Sequence, residues 1–308
     1  MPATSANLGP GFDTLGLALG MYDEVEAELT GDRVQVTVEG QGEGELDLGE
    51  GHLVVKAMRK AFDRMGMEQP AGIRLRCRNR IPHARGLGSS SAAICAGILA
   101  ARALGSQRTS PDGARTLPEG ARTLSDDEVF ALATEMEGHP DNVAPCLTGN
   151  LTISWTDHGG SPHMVKVTPD ARIRPVVLVP SARVSTETAR GLLPKDVPHK
   201  DASFNAGRAA LLIAALTLRP ESDLLLAATE DRLHQKYRAP AMRDSADLVE
   251  RLRAVGVPAV VSGAGPTVLA FSTPDTQDLI APEVGNDWHI QLMDVDPDGA
   301  NVQFPETR

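Results

Sequence analysis

A glycine- and serine-rich turn between a predicted strand and a predicted helix is the feature that most constrains the fold. Residues 72–78 read G-I-R-L-R-C-R, the alternation of a strand with one buried face, and residues 90–104 form an alanine-rich stretch typical of a helix. Between them, P-H-A-R-G-L-G-S-S-S-A-A (82–93) contains Gly86 and Gly88, which let the backbone bend tightly and approach a ligand closely. The serines open the helix, whose first N–H groups have no partner within it. Such a turn predicts a binding site for phosphate.

Two better-known phosphate motifs do not fit this turn. The pattern G-x-x-x-x-G-K-[ST] requires a lysine that is absent here, and G-x-G-x-x-G requires a third glycine where Ser91 stands. The glycine pattern alone is therefore also compatible with an ordinary capped turn. A serine hydroxyl at the start of the helix could also bind Mg²⁺ held between phosphates, because this hard cation prefers oxygen ligands.

Three further segments combine tight turns with polar side chains. Residues 2–16 (P-A-T-S-A-N-L-G-P-G-F-D-T-L-G) place Asn7 and Asp13 on either side of a Gly-Pro-Gly turn. Residues 135–145 (E-M-E-G-H-P-D-N-V-A-P) group Glu, His, Asp and Asn just after a helix, and residues 261–271 (V-S-G-A-G-P-T-V-L-A-F) lead into an apolar strand. Each segment alone also has a purely structural interpretation, as a turn, a capped helix end or a strand start.

The remainder of the chain alternates predicted strands and helices, which favours α and β elements packed in layers. Residues 24–38 alternate polar and apolar side chains with a break at 30–32 and predict a β-hairpin. Ser125-x-x-Glu128 predicts a capping box for a helix that ends at Glu137. Other helices are predicted near 52–65, 202–218, 223–234 and 242–255, and other strands near 150–155, 174–179, 259–261, 268–271 and 289–293.

A length of 308 residues favours two domains. The glycine- and proline-rich residues 158–162 are the predicted linker, which divides the chain into 1–160 and 161–308. Residues 105–125 contain G-A-R-T-L twice among Ser, Pro, Gly and Arg, and they predict an inserted surface loop.

The composition argues against several classes of protein. A formal net charge of −11 disfavours general electrostatic attachment to nucleic acid or to an anionic membrane, although a local anion site remains compatible with it. The three cysteines, Cys77, Cys95 and Cys146, are widely spaced and odd in number, which argues against a disulfide framework and a zinc site and favours the reducing cytoplasm. The most apolar runs, 92–101 and 209–218, have about half the length of a membrane-spanning helix.

Taken together and in this order, the four segments closely resemble the homoserine kinases of the GHMP superfamily. The resemblance rests on P-x-T-S-A-N-L-G-P-G-F-D, P-x-x-x-G-L-G-S-S-S-A, G-H-P-D-N-V-A-P and S-G-A-G-P-T, and it spans nearly the whole chain. The glycine-serine block is common to galacto-, mevalonate and related kinases, whereas the first block is typical of homoserine kinases in particular.

The resemblance implies a two-domain α+β fold, the GHMP kinase fold. Residues 1–160 would form a ribosomal-S5-like domain that binds ATP and Mg²⁺, and residues 161–308 would form a ferredoxin-like α/β plait. The residues expected at the ATP phosphates are Pro82, Arg85, Gly86, Leu87, Gly88, Ser89, Ser90, Ser91 and Ala92. Ser90 and Glu135 are expected to bind Mg²⁺.

The substrate implied by the resemblance is L-homoserine, whose side-chain hydroxyl would be phosphorylated by ATP in threonine biosynthesis. A zwitterionic amino acid requires a carboxylate for its ammonium group and arginines for its own carboxylate. The residues implied for binding it are Asn7, Asp13, Arg190, Arg238 and Gly263. The residues implied at the hydroxyl and the transferred phosphoryl group are His139, Asp141 and Asn142, with Asp141 as the candidate base.

Two alternatives remain open on the sequence. A GHMP kinase for mevalonate or a sugar would share the glycine-serine block, but the first block and the paired arginines argue against it. A nucleotide-binding protein of the same fold could lack turnover, but Ser90, Glu135, Asp141 and Asn142 argue against that. A small-molecule substrate, a cytoplasmic location and a homodimer are the remaining expectations, the last from the resemblance alone.

Overall fold

The computed structural model describes residues 1–106 and 120–304. Residues 107–119, the main part of the predicted surface loop, lie outside the described residues, as does the first G-A-R-T-L copy at 113–117. The described residues contain three β-sheets, with helices packed against them. No helix within these residues has the length and apolar character needed to cross a membrane.

The elements follow one another in this order along the chain. The first part contains β1 (Pro2–Ala6), β2 (Leu15–Tyr22), β3 (Glu24–Thr30), β4 (Gln35–Gly40), α1 (Leu53–Arg64), β5 (Gly72–Asn79), α2 (Ser89–Ser106), α3 (Asp126–Glu137), α4 (Val143–Thr148), β6 (Leu151–Thr156) and β7 (Pro162–Val167). The second part contains β8 (Arg174–Pro180), α5 (Thr186–Gly191), α6 (His199–Thr217), α7 (Ser222–Ala228), α8 (Gln235–Arg238), a 3₁₀ turn (Ala239–Ala241), α9 (Arg243–Ala254), β9 (Ala259–Val261), β10 (Val268–Ser272), α10 (Gln277–Glu283) and β11 (Trp288–Leu292).

The first sheet has the strand order β1-β2-β6-β7, with all neighbours antiparallel. The prediction of a linker at 158–162 is wrong, because these residues belong to the β6–β7 hairpin. Asp157 forms its turn by accepting hydrogen bonds from the N–H groups of Gly159 and Ser161 at 2.8 and 2.9 Å. The predicted division at 160/161 therefore falls inside a hairpin, and the sheet topology favours a division after Val167.

The second sheet shows that the hairpin predicted over 24–38 is also wrong. Both strands exist, but β5 lies between them, antiparallel to β3 and parallel to β4. The parallel pair arises because the chain passes from β4 to β5 through helix α1, a crossover that a short turn cannot replace. On the exposed face, the arginines of β5 lie directly opposite the glutamates of β3, in the pairs Glu24–Arg78, Glu26–Arg76 and Glu28–Arg74.

The third sheet has the order β11-β8-β10-β9, with all neighbours antiparallel. This is the strand order of a βαββαβ plait, as predicted for the second half of the chain. Alternate residues of its strands enter two different cores. Val177 and Leu269 face the main core, whereas Val176 and Val268 pack with Leu248 of α9. Because both faces are covered at β8, β9 and β10, these three strands are largely apolar runs.

Backbone hydrogen bonds join the first and third sheets to the glycine-serine turn. Thr4 N–H donates to Leu87 O at 3.1 Å, and Gly263 N–H donates to Ala6 O at 3.1 Å. The N–H of Thr267 donates to Arg85 O at 3.2 Å. The end of β1, the turn before α2 and the turn before β10 are thus fixed relative to one another, and they form the floor of a pocket.

Candidate active site

All four sequence segments that carry the predicted site meet in one pocket. The cavity itself has a volume of about 100 Å³, and it opens to solvent. The lining residues are Ala6, Asn7, Asp13, Ala84, Gly86, Gly88, Ser89, Ser90, Glu137, His139, Asp141, Asn142, Thr186, Arg190, Arg238, Gly263 and Ala264. Every predicted substrate-binding and catalytic residue is among them.

The glycine-serine turn approaches the pocket with no room for side chains. Gly88 has φ +71°, and a Cβ added to it would collide with Thr4 Oγ1. The same hydroxyl also forms a hydrogen bond to the site, since Thr4 Oγ1 donates to Asn142 Oδ1 at 2.8 Å. Glycine is therefore required at position 88 both by the backbone conformation and by the contact that fixes Asn142.

Five of the nine residues predicted at the ATP phosphates do not line this pocket, namely Pro82, Arg85, Leu87, Ser91 and Ala92. Leu87, Ser91 and Ala92 are buried in the protein. Arg85 instead joins the turn to β8, since its Nε donates to Pro180 O at 3.0 Å and its Nη2 to Ser181 O at 2.9 Å. Its guanidinium is thus engaged in positioning the turn.

The structure brings Glu137, not the predicted Glu135, to Ser90. Ser90 Oγ donates to Glu137 Oε2 at 2.5 Å, and the Glu137 side chain is only 10% exposed. Glu135 is 49% exposed and faces away from the pocket, where it accepts from Lys60 Nζ at 2.8 Å and Arg64 Nη2 at 2.7 Å. The assignment of Glu135 to a metal site is therefore not supported by its position. Ser90 and Glu137 together offer the oxygen donors that Mg²⁺ prefers.

His139 and Asp141 form a hydrogen-bonded pair beside these oxygens. His139 Nδ1 lies 2.6 Å from Asp141 Oδ1, and because a carboxylate only accepts, Nδ1 carries the proton. Burial of the ring opposes a charge on His139, but the bond to Asp141 and the charges of Asp141 and Glu137 together raise its pKa above the usual value. Asp141 is 1% exposed, at the start of the turn into α4.

At the other end of the pocket, Asp13 and Arg190 form a two-pronged ion pair. Arg190 Nη2 donates to Asp13 Oδ1 at 2.6 Å and Nη1 donates to Oδ2 at 3.0 Å, which raises the pKa of Arg190. Asn7 fixes the loop that carries Asp13. Its Oδ1 accepts from the Asp13 N–H at 3.0 Å, and its Nδ2 donates to Gly263 O at 2.9 Å. Asn7 and Asp13 both have left-handed backbones, at φ +66° and +52°.

Arg238 is the most buried cation of the site, at 1% exposure. Its guanidinium carbon lies 5.3 Å from the centre of the Phe12 ring, and that of Arg190 lies 5.7 Å from the same ring. Burial lowers the pKa of Arg238, and the neighbouring charge of Arg190 lowers it further. Two guanidinium groups near one aromatic ring create a local positive field in an acidic protein.

Comparison with known proteins shows the family to which this chain belongs. Residues 52–150 match the model described as GHMP kinases N terminal domain, and residues 203–290 match GHMP kinases C terminal. The homoserine kinase of Streptomyces coelicolor is 55% identical over 304 residues, which cover 98% of this chain and 93% of that protein. The chain belongs to the homoserine kinases of the GHMP family.

Other homoserine kinases extend the comparison. That of Mycobacterium tuberculosis is 46% identical, covering 92% of this chain and 86% of that protein. The crystal structure of a homoserine kinase from Cytophaga hutchinsonii superimposes with a TM-score of 0.79 at 26% identity, covering 97% of this chain and 94% of that one. Leishmania major mevalonate kinase, at 17% identity and a TM-score of 0.65, shares the fold alone. The predicted two-domain α+β fold of the GHMP kinases is confirmed.

Three polar residues in or beside the pocket were not predicted from the sequence as site residues: Glu137 and Thr186 line it, and Thr4 contacts Asn142 from outside the lining. Thr4 and Glu137 act through the contacts described above, and Thr186 lies at the start of α5, which Ser185 caps by accepting from Thr188 N–H at 3.1 Å. A signal for Glu137 was available in the helical pattern of α3. Thr4 and Thr186 carry no residue type that distinguishes them from ordinary structural threonines.

Proposed function

We propose that this chain transfers the γ-phosphoryl group of ATP to the side-chain hydroxyl of L-homoserine, giving ADP and O-phospho-L-homoserine. The observation that carries the proposal is the sharing of one pocket by a glycine-serine turn at the start of α2 and a charged set suited to a zwitterion. The same pocket is lined by His139, Asp141 and Asn142, which we place between the turn and the charged set. A hydroxyl and a phosphate bound at the two ends would therefore meet at these three residues.

The charged side chains of the pocket fit an amino acid because they include both negative and positive groups. Asp13 would accept hydrogen bonds from the ammonium group, while Arg190 and Arg238 would donate to the carboxylate. Asp13 and Arg190 bind each other at 2.6 and 3.0 Å without a ligand. A zwitterion can replace this pair, since its ammonium takes the place of the guanidinium and its carboxylate takes the place of Asp13.

The residues beside the turn fit Mg²⁺. Ser90 and Glu137 would hold it against the phosphates, with Glu137 in the role predicted for Glu135, since their oxygens are 2.5 Å apart and both line the pocket. A magnesium ion bound there would neutralise charge on the β- and γ-phosphates. The remaining ligands would be phosphate oxygens and water, as is usual for this ion.

In the chemical step the homoserine hydroxyl oxygen forms a bond to the γ-phosphorus while the bond from that phosphorus to the bridging oxygen of ADP breaks. Protein groups mainly position the reactants and stabilise charge in such a step. Asn142, fixed by Thr4, and His139, bound to Asp141, would donate to the transferred group. The hydroxyl proton passes either to Asp141 or to the phosphoryl group itself.

An assay of ADP release over five alcohols tests the proposal. L-homoserine, L-serine, L-threonine, mevalonate and galactose would be compared at saturating ATP and Mg²⁺, with Glu137→Gln as the low-activity reference. Turnover with L-homoserine well above the other four is the expected result. Turnover with mevalonate or galactose instead would indicate another GHMP kinase, and ATP binding with no turnover on any alcohol would indicate a binding protein of the same fold.

Two further parts of the proposal concern the setting of the reaction. We infer a cytoplasmic enzyme, since three buried free cysteines suit a reducing compartment. We also infer a homodimer, supported by the family resemblance, which light scattering after size-exclusion chromatography can measure.

A further inference from the structure

His234 lies behind the pocket, outside its lining, and is fully buried. Its Nε2 is 2.7 Å from the carbonyl oxygen of Gly9. Because a carbonyl oxygen only accepts, Nε2 must carry the proton, and in a neutral ring Nδ1 is then an acceptor. The contact with Gly9 therefore determines the tautomer of His234.

The Nδ1 acceptor faces Arg238. Arg238 Nη1 lies 3.2 Å from His234 Nδ1 and 3.1 Å from the carbonyl oxygen of Gly263. Both hydrogens of Nη1 thus have acceptors within the protein. Among the described residues, Nε of Arg238 has no hydrogen-bond partner, although it is buried. One edge of the guanidinium is thus fixed, which leaves the remaining donors for a ligand.

Several groups surround the His234 ring and set its charge. Burial lowers the pKa of His234, and the charge of Arg238 lowers it too, against the opposing charges of Asp231 and Asp13. Asp231 Oδ2 is 3.7 Å from Nε2, and the Phe12 ring lies 5.4 Å from the imidazole, centre to centre. A neutral ring can accept from a guanidinium, whereas a protonated ring would present a second donor to it.

The local fold explains why a histidine reaches this place. The helix predicted over 223–234 ends at Ala228. Asp231 then accepts from the N–H groups of Leu233, His234 and Gln235 at 2.9, 3.0 and 2.8 Å and turns the chain into α8. His234 and Arg238 are four residues apart, on one face of this short helix.

We propose that His234 is a positioning residue for homoserine, whose Nδ1 lone pair orients the Arg238 guanidinium toward the substrate carboxylate. The inference rests on the proposed function, because it assigns Arg238 to that carboxylate. It predicts that loss of the acceptor weakens homoserine binding, whereas loss of the Gly9 contact alone has little effect on it.

Two amide substitutions test the roles of the two ring nitrogens of His234 separately. His234→Asn places an amide oxygen near the position of Nδ1 and keeps an acceptor for Arg238, whereas His234→Gln places an amide nitrogen near Nε2 and keeps only the donor to Gly9. We expect His234→Gln to raise KM for homoserine about tenfold or more, the effect of a hydrogen bond to a charged group. His234→Asn should stay within about threefold of wild type. KM for ATP should change in neither variant.

A substrate without a carboxylate provides the control for a merely structural effect. With 3-amino-1-propanol, which keeps the ammonium and the hydroxyl of homoserine, His234→Gln and His234→Asn should have equal kcat/KM. A loss with 3-amino-1-propanol as large as with homoserine, or equal KM values for homoserine in the two variants, would overturn the inference. Wild-type enzyme that does not use homoserine would instead refute the proposed function.

A measurement on the wild-type protein covers the case in which a variant does not fold. In protein labelled with ¹⁵N-histidine, long-range ¹H–¹⁵N spectra near pH 7.5 should show one ring with Nε2 protonated and Nδ1 unprotonated, whose Nδ1 signal shifts when homoserine is added. An Nδ1-protonated or doubly protonated ring at position 234 would exclude the proposed role.

Discussion

Replacing Asp13 with asparagine should remove the preference of this enzyme for a substrate with an ammonium group. The test compares homoserine with 4-hydroxybutanoate, which has the same hydroxyl and carboxylate but lacks the amino group. In the wild-type protein the Asp13 carboxylate is 34% exposed and accepts two hydrogen bonds from Arg190. Asparagine has nearly the same shape but no charge, so it would bind an ammonium group poorly.

The expected size follows from the kind of bond that is lost. A hydrogen bond to a charged group contributes about 1.5–3 kcal/mol, and each 1.4 kcal/mol is a factor of about ten in rate. The ratio of kcat/KM for homoserine to that for 4-hydroxybutanoate should therefore fall by about 10- to 100-fold in Asp13→Asn. The absolute value for 4-hydroxybutanoate should not fall, because Arg190 is released to meet the carboxylate.

The fold itself should be little affected by this substitution. With side chains about one third exposed, the Asp13–Arg190 pair is screened by water and should contribute no more than about 1 kcal/mol to the free energy of unfolding. Thermal unfolding measures the contribution of this pair to stability. ADP release at saturating ATP measures kcat/KM for each substrate. Asp170→Asn is the matched control, since it breaks another two-pronged pair, with Arg172, at the surface. Equal losses of kcat/KM with both substrates would refute the assignment of Asp13.

Three further outcomes are expected. Gly88→Ala should lower stability by about 1–3 kcal/mol in chemical denaturation and reduce activity, whereas Gly44→Ala, at a similar φ of +74° but in open space, should show only the backbone effect. Glu137→Gln should raise the Mg²⁺ concentration for half-maximal rate about tenfold or more, and Glu135→Gln should not. Burial opposes a low pKa for Asp231, but hydrogen bonds from backbone N–H groups and from Asn205 hold it below the usual value, so Asp231→Asn should destabilise at pH 7 and less below about pH 4.

The helix cap and the glycine turn near the pocket could be predicted because they depend on local patterns. The capping box at Ser125 formed as predicted, with Ser125 Oγ accepting from Glu128 N–H at 3.3 Å. The strand, turn and helix around Gly86 and Gly88 also formed as predicted, since glycine permits left-handed backbone wherever it stands. Sheet pairing could not be predicted in this way. The alternation of β3 and β4 fits a hairpin equally well, and only the helix between β4 and β5 decides that β5 lies between them.

The hydrogen-bond network around Asp231, behind the pocket, could not be predicted from local patterns for a different reason. Residues 223–234 have helical spacing, but the buried Asp231 carboxylate binds three backbone N–H groups and turns the chain. An aspartate at that position is equally compatible with an exposed helix surface. Its partner Asn205, whose Nδ2 donates to Asp231 Oδ1 at 2.9 Å, lies 26 residues earlier. Only the tertiary fold brings the two together.

The choice between Glu135 and Glu137, in contrast, could have been made from the sequence. At 3.6 residues per turn, Glu137 lies about 20° from Phe130 around the axis of α3, whereas Glu135 lies about 140° from it. Phe130 and Ala133 are buried, so the apolar face of the helix points Glu137 inward and Glu135 outward. An acidic residue that continues an apolar face costs stability unless it has a partner or a ligand. Glu137 is therefore the carboxylate that the helical pattern itself directs toward the pocket.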